Sequence, residues 1–290
     1  MAEGVRRKGL GFWSSFLPGF TWMTAMYFVP LGALLVYSFY THTSRADTPN
    51  FTTENFRKIF ATDSEHPFFS RTNVKIFLLT FRIAFTVTII DGLIAFPVAY
   101  FLAFHAGRLK QTLIMFILLP LWSSYLVRIF SWKLILEQHG LLNWVLIKLH
   151  ILSEPSPDFI YNTGAVTAVL CYVWLPFMIL PLTTALERLP RRLLEASADL
   201  GAGRVRTFYK ITTPLVMPGL LAGCMSVFSL SIGDYVTADL VGSGRSVVGK
   251  LIFDRMGTYS NYPQAAALSL CIMLVLFIIF GILARFGAFD

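Results

Sequence analysis

This sequence predicts an all-α membrane protein with six transmembrane helices, and three observations carry that reading. Of its 290 residues 56% are hydrophobic and only 14% charged, with a mean hydropathy of +0.65, whereas soluble domains carry roughly 25% charged residues. Six stretches reach the roughly 20 apolar residues of helix that a bilayer core requires. Lysine and arginine gather in alternate connections between those stretches, as they do where charge sets membrane orientation.

Taken in order, the first segment covers about 18–40 and follows Val5-Arg6-Arg7-Lys8. That start is like a signal peptide, but no small-residue cleavage site precedes the polar stretch, so it reads as an uncleaved span. The second and third segments, about 74–104 and 110–136, are long enough to tilt or to extend past the membrane. Gly140-Leu141-Leu142-Asn143-Trp144 is amphipathic and too brief to cross, which suits a helix in the interface. Segments at about 163–185, 213–233 and 263–286 complete the six. The longest polar insert, about 41–73, looks too short for a folded domain, so residues 1–290 are read as one transmembrane domain.

Arg6, Arg7 and Lys8, then Arg108 and Lys110, then Arg188, Arg191, Arg192, Arg204, Arg206 and Lys210 fall on one side of this arrangement. The opposite loops offset their positive charge with Asp47, Glu54, Asp63, Glu65, Glu137, Glu154, Asp158, Asp239 and Asp254. By the positive-inside rule the first set is cytoplasmic and so are both termini. The net charge of +8 is dispersed in these patches, which argues against nucleic-acid binding. Cys171, Cys224 and Cys271 all lie in apolar runs without metal-ligand spacing and read as packing residues.

The cytoplasmic loop at about 187–212 has its own pattern. Leu189 to Leu200 alternates Leu193, Leu194, Ala198 and Leu200 with Arg191, Arg192, Glu195 and Asp199, which predicts a short amphipathic helix. Pro190 suits its first turn. Gly201 and Gly203 end it, because glycine takes the left-handed conformation of a helix end without penalty. A second helix is expected from about Arg204, with Pro214 starting the fifth span. The bland reading is an ordinary interfacial loop.

The residues Glu195-Ala196-Ser197, then Gly201, then Ile211 and Pro214 make the sharper case. They resemble the EAA loop of ABC-importer permeases: Glu-Ala-Ala, three residues, Gly, nine residues, Ile-x-Leu-Pro. The spacing is kept, with Ser197 at the third alanine and Thr213 at the leucine. The resemblance implies a type I ABC importer permease fold whose cytoplasmic coupling helix docks on ATPase subunits through these six residues. It implies a second permease subunit, two ATPases that use ATP and magnesium, and a periplasmic or lipid-anchored solute-binding protein, all at a bacterial cytoplasmic (inner) membrane. This chain would be non-catalytic and would hold no cofactor or metal. Gly244-Arg245-Ser246-Val247-Val248-Gly249-Lys250-Leu251 nearly matches a P-loop, but Leu251 replaces the magnesium-binding hydroxyl and no strand–loop–helix context surrounds it.

Two further stretches bear on the cargo. Pro120-Leu121-Trp122-Ser123-Ser124-Tyr125-Leu126-Val127-Arg128-Ile129-Phe130-Ser131-Trp132 with Gly140-Leu141-Leu142-Asn143, and Ser231-Ile232-Gly233-Asp234-Tyr235-Val236, resemble spermidine/putrescine permeases of the first-subunit type. A polyamine carries several ammonium groups and is held by carboxylates and aromatic faces. Asp234 beside Tyr235 offers both, Trp122, Tyr125 and Trp132 are candidates for the same path, and Asp91 is an acid inside the second span. Against these stand an interfacial aromatic belt and a helix cap at Asp234. The nearest rival is the same machine with another cargo, such as an opine, thiamine or iron.

Asp91, Arg82 and Arg128 sit within spans, where ionisable groups are costly and face a cavity or a partner. At 1.5 Å of rise per residue both arginines lie about 12 Å from the outer end, with Asp91 about 13 Å deeper than Arg82. An Asp91–Arg128 pair is therefore not expected. The arginines are left to snorkel or to pair with acids of a partner subunit. Pro120, Pro176, Pro181 and Pro218 interrupt spans, and Gly219-x-x-x-Gly223 would let the fifth approach another helix closely. A membrane-embedded enzyme lacks support: His42, His66, His105, His139 and His150 are scattered, and no HExxH or serine-nucleophile motif occurs. An ATP-independent carrier would have no use for an EAA loop.

Overall fold

A chain this apolar must satisfy its backbone N–H and C=O groups internally, because lipid offers them no partner. It does so with helices. The computed structural model of the chain describes residues 3–42, 47–60, 67–242 and 247–285. Gly244, Arg245 and Ser246 of the P-loop-like stretch, and the acids Asp63 and Glu65, lie outside the described residues. In chain order the elements are α1 (Glu3–Tyr37), a hairpin of β1 (Thr41–His42) and β2 (Asp47–Thr48), α2 (Glu54–Phe60) and α3 (Pro67–Phe104). Then come α4 (Lys110–Leu118), α5 (Tyr125–Leu136), α6 (Leu141–Lys148), α7 (Thr163–Glu187), α8 (Arg191–Asp199) and α9 (Arg204–Thr207). A π-helical turn (Phe208–Thr212) leads into α10 (Thr213–Gly233), followed by α11 (Tyr235–Val241), α12 (Val248–Gly257) and α13 (Tyr262–Ala284). Among the described residues five runs are long and apolar enough to cross a membrane, or six if a bent pair counts as one span.

The chain divides into two compact units, residues 1–70 with 252–273 and residues 71–251 with 274–290. In the first, the apolar run Phe16–Tyr37 has no buried residue. The polar insert after it is folded on itself. Tyr37 Oη donates to Asp47 Oδ2 at 3.0 Å, His42 Nδ1 lies 2.6 Å from Asp47 Oδ1, and the Asn55 amide donates to the carbonyls of Ser38 and Tyr40 at 2.8 Å each.

The second unit has its core where α3, α7 and α10 meet, around Val87, Leu182, Leu186, Val216 and Val227, all fully buried or nearly so. Lipid tails are as apolar as these side chains, so close packing, not exclusion of water, holds such helices together. Two glycines make that packing possible. A Cβ at Gly219 would collide with the Ala185 methyl, and one at Gly223 would stand 2.7 Å from Met178 Sδ. The Gly219-x-x-x-Gly223 face therefore serves contact between α10 and α7 of the same chain.

The third apolar segment departs from the single helix expected over about 110–136. Its two halves, Gly107–Trp122 and Tyr125–Lys148, meet at 91°. Pro120 has no N–H to continue the ladder, Ser123 is extended (φ −81°, ψ 153°), and the Ser123 hydroxyl donates to the Pro120 carbonyl at 2.7 Å. The second half then turns at Gly140, where a Cβ would collide with the carbonyls of Leu134, Ile135 and Glu137. Buried Asn143 fastens α6 to the following loop, accepting from Ser156 N–H and donating to Ser156 O at 2.9 Å each.

Candidate functional site

The loop between α7 and α10 is shaped by its own hydrogen bonds. α8 ends in a Schellman motif: Gly201 N–H donates to Ala198 O at 2.9 Å and Ala202 N–H to Ser197 O at 3.0 Å. Gly201 stands at φ +74°, in the left-handed region that glycine occupies freely, and a Cβ there would meet nothing. Conformation, not space, is what asks for glycine. Ser197 is buried and its Oγ lies 2.8 Å from Thr207 Oγ1. Thr207 in turn reaches the Gly203 carbonyl at 3.3 Å, which leaves Ser197 as the donor of the shorter bond. The two arms of the turn are thus tied by side chains ten residues apart.

α8 presents two faces. Leu194 packs inward against the core and Ser197 is buried one turn on. Leu193, Ala196 and Leu200, spaced i, i+3, i+7 on the adjoining face, are exposed, Leu200 at 87%. Glu195 beside them is exposed too. Past the turn Val205 and Tyr209 are exposed as well, at 71% and 68%, and line a cleft with Leu194 and Ala198. The second arm is not a separate surface helix. From Val205 to Gly233 the chain runs as one helical stretch, with Ile211 half-buried in its π turn and Pro214 in the first turn of α10. Lys110 Nζ and Glu187 Oε1, 2.7 Å apart, pair the start of α4 with the end of α7 beside the loop.

At the other end of α10 lies Asp234. It is 7% exposed and caps α11, accepting from Thr237 N–H at 3.0 Å and from Thr237 Oγ1 at 3.1 Å. Because the Thr237 hydroxyl spends its proton on Asp234, Tyr125 donates at the 3.3 Å contact between Tyr125 Oη and Thr237 Oγ1. A chain of hydrogen bonds therefore runs Tyr125, Thr237, Asp234. Trp174 of α7 stacks on Tyr125 with ring centroids 5.9 Å apart, and its indole N–H is buried within electrostatic reach of Asp234. Arg128 stands over the Tyr125 ring, 5.8 Å from its centroid.

The structure brings together only part of the expected path. Asp234 and Tyr125 meet; Trp174, hidden in the apolar run of α7, is the member that sequence reasoning missed. Tyr235 points into the helical core, Trp132 packs on Tyr172 at 5.3 Å, and Trp122 is 75% exposed. Asp91 is fully buried beside Cys171 of α7, with no hydrogen bond to either carboxylate oxygen among the described residues. It forms no ion pair with Arg128. Among the described residues no cluster of His, Cys, Asp and Glu is fit to hold a metal ion.

Comparison with solved structures places the fold. Chains of a bacterial ABC transporter involved in the import of the acidic polysaccharide alginate match with a TM-score of 0.68, 15% identity and coverage of 98% of this chain and 96% of the other. A chain of a bacterial alginate ABC transporter in complex with alginate pentasaccharide-bound periplasmic protein gives 0.69 at 13% identity, covering 99% and 98%. Among curated proteins, the inner membrane ABC transporter permease protein YdcU of Escherichia coli (strain K12) is 35% identical over 297 residues, covering 97% of this chain and 91% of its own. The spermidine/putrescine transport system permease protein PotB is 34% identical in Haemophilus influenzae, covering 87% and 85%, and 29% in Escherichia coli, covering 88% and 90%. The model of the family described as binding-protein-dependent transport system inner membrane component matches residues 95–288, the stretch holding the turn at Gly201, the whole of α10 and the Asp234 cap; this chain is a member of that family.

Proposed function

We propose that this chain is a permease subunit of an ATP-driven importer of polyamines, coupled to its ATPases through the surface of α8. The observation that carries the coupling role is the exposed apolar stripe Leu193, Ala196, Leu200 on a turn locked by Schellman and side-chain hydrogen bonds. An apolar surface of that kind outside a membrane span calls for a protein partner. In this reading loop 187–212 and both termini are cytoplasmic, a second permease completes the path, and two ATPases supply the ATP and magnesium chemistry. A periplasmic or lipid-anchored binding protein delivers the solute. The chain itself carries no catalytic group and no cofactor.

The mechanical part follows from continuity. Closure of the ATPases displaces α8, and because the turn is rigid the displacement passes to the helical run that starts at Val205. α10, about 30 Å long at 1.5 Å per residue, carries it past α7 to Asp234. There a buried carboxylate with Tyr125 and Trp174 beside it has the chemistry to meet an ammonium group once the cap opens. The relatives named for spermidine and putrescine support the same cargo.

The test is ATPase activity of the reconstituted four-component system, with binding protein loaded with putrescine, spermidine or a non-polyamine solute. Stimulation by a polyamine is expected. Stimulation by the other solute alone would keep the importer and retire the cargo.

A further inference from the structure

Arg128 belongs to the first turn of α5, three residues after Tyr125 and on the same face of that helix. Its guanidinium carbon stands 5.8 Å from the centre of the Tyr125 ring, within the range of cation–π attraction. Among the described residues its Nε and Nη1 are buried with no hydrogen-bond partner, and it forms no ion pair. A cation so poorly paired is costly within a membrane span. This one stands at the head of the hydrogen-bond chain Tyr125, Thr237, Asp234. The Tyr125 hydroxyl is within electrostatic reach of Asp234 and of Arg128 alike.

We propose that Arg128 is a tethered stand-in for the cationic cargo: its guanidinium holds the Tyr125 ring in this conformation, and an ammonium group of a polyamine displaces it on entering the path. The inference rests on the reading of Asp234 and Tyr125 as path residues for polyamines. A ring attracts a guanidinium and an ammonium through the same quadrupole, and two like charges at one ring repel each other. Entry of one cation therefore drives out the other. The arginine gives up no hydrogen bond at Nε or Nη1 when it leaves, so it loses little by going. Helical side chains lean toward the N-terminus of their helix, and the residues there, Ser123 and Ser124, are exposed, which gives the displaced side chain an exit. Its return as the solute departs helps to empty the site. Arg128 thus weakens binding and speeds release, and a positive charge beside a cation path has a use.

The experiment uses the transporter purified with its partner subunits and trapped with ATP and vanadate. It reads the half-saturating concentration of radiolabelled spermidine without binding protein. Turnover is read separately, as uptake into proteoliposomes with saturating loaded binding protein. Arg128→Gln should lower the half-saturating concentration at least fivefold and slow turnover at least threefold. Arg128→Met, neutral and similar in length, should do the same, while Arg128→Lys, which keeps a cation, should stay within twofold of wild type in both. Tighter binding with slower turnover is a combination that a merely structural arginine would not give. Binding by both neutral variants that equals the wild type or is weaker overturns the proposal. So does loss of the second permease when both are purified, which would make Arg128 a tie between subunits. A wild type that neither binds nor takes up spermidine is a different failure: it sinks the polyamine reading, and this inference with it.

Discussion

Ser197 Oγ and Thr207 Oγ1 lie 2.8 Å apart across the coupling turn, so the hydroxyl standing where the EAA pattern has a third alanine is a tie between two arms. A buried neutral hydrogen bond contributes about 0.5–1.5 kcal/mol net. Ser197→Ala should therefore lower the melting temperature by a few degrees and reduce stimulated ATPase activity. Thr207→Val should do the same, and the pair together should cost less than the sum, because one bond is lost only once. A strictly additive double-mutant cycle would show that the bond contributes nothing.

Gly201 separates conformation from crowding. At φ +74° with open space around the missing Cβ, Gly201→Ala should destabilise by about 1–2 kcal/mol through the left-handed backbone alone. Gly201→Asn, whose side chain tolerates that region better, should fall between alanine and wild type. Equal melting temperatures for the three proteins would contradict the Schellman assignment.

Gly219 and Gly223 test the α7–α10 contact. Gly219→Leu and Gly223→Val should lower stability sharply and abolish transport, since neither can be built without parting the helices. Gly281→Ala, in open space on α13, is the control and should leave both measurements unchanged. Wild-type behaviour in Gly219→Leu would mean the helices are not held this closely.

Asp234 has two duties in this account, and two substitutions divide them. Asp234→Asn keeps an acceptor for the Thr237 N–H and should leave the fold near wild type, while polyamine uptake falls at least tenfold. Asp234→Ala removes the cap, worth about 1 kcal/mol, and should lower stability as well. Tyr125→Phe loses one hydrogen bond to Thr237 and should weaken uptake less than either. Uptake in proteoliposomes and melting curves decide the matter; full uptake by Asp234→Asn would leave the residue a cap alone.

What could be read in advance follows from what each signal encodes. Apolar length encodes crossing, so α3, α7, α10 and α13 stood out in the sequence. It carries no direction, so the 91° turn after Pro120 did not, although the proline was visible. The break falls between Trp122, which is left exposed, and Tyr125, whose hydroxyl reaches Thr237, so two aromatics three residues apart end in different surroundings. Trp174 lies in an unbroken apolar run where a packing residue and a path residue look alike. The Gly201 turn was legible because glycine has few reasons to recur there. The Ser197–Thr207 bond was not, since it depends on how the two arms fold back.

The central claim is that the α8 surface transmits ATPase motion to the path. The most direct measurement is solute-stimulated ATPase activity of the reconstituted transporter carrying Gly201→Asp, which puts a charge beside the Leu193, Ala196, Leu200 stripe. The account predicts that stimulation by loaded binding protein and transport are both lost while the subunits still fold. Transport and stimulation at wild-type levels would contradict it.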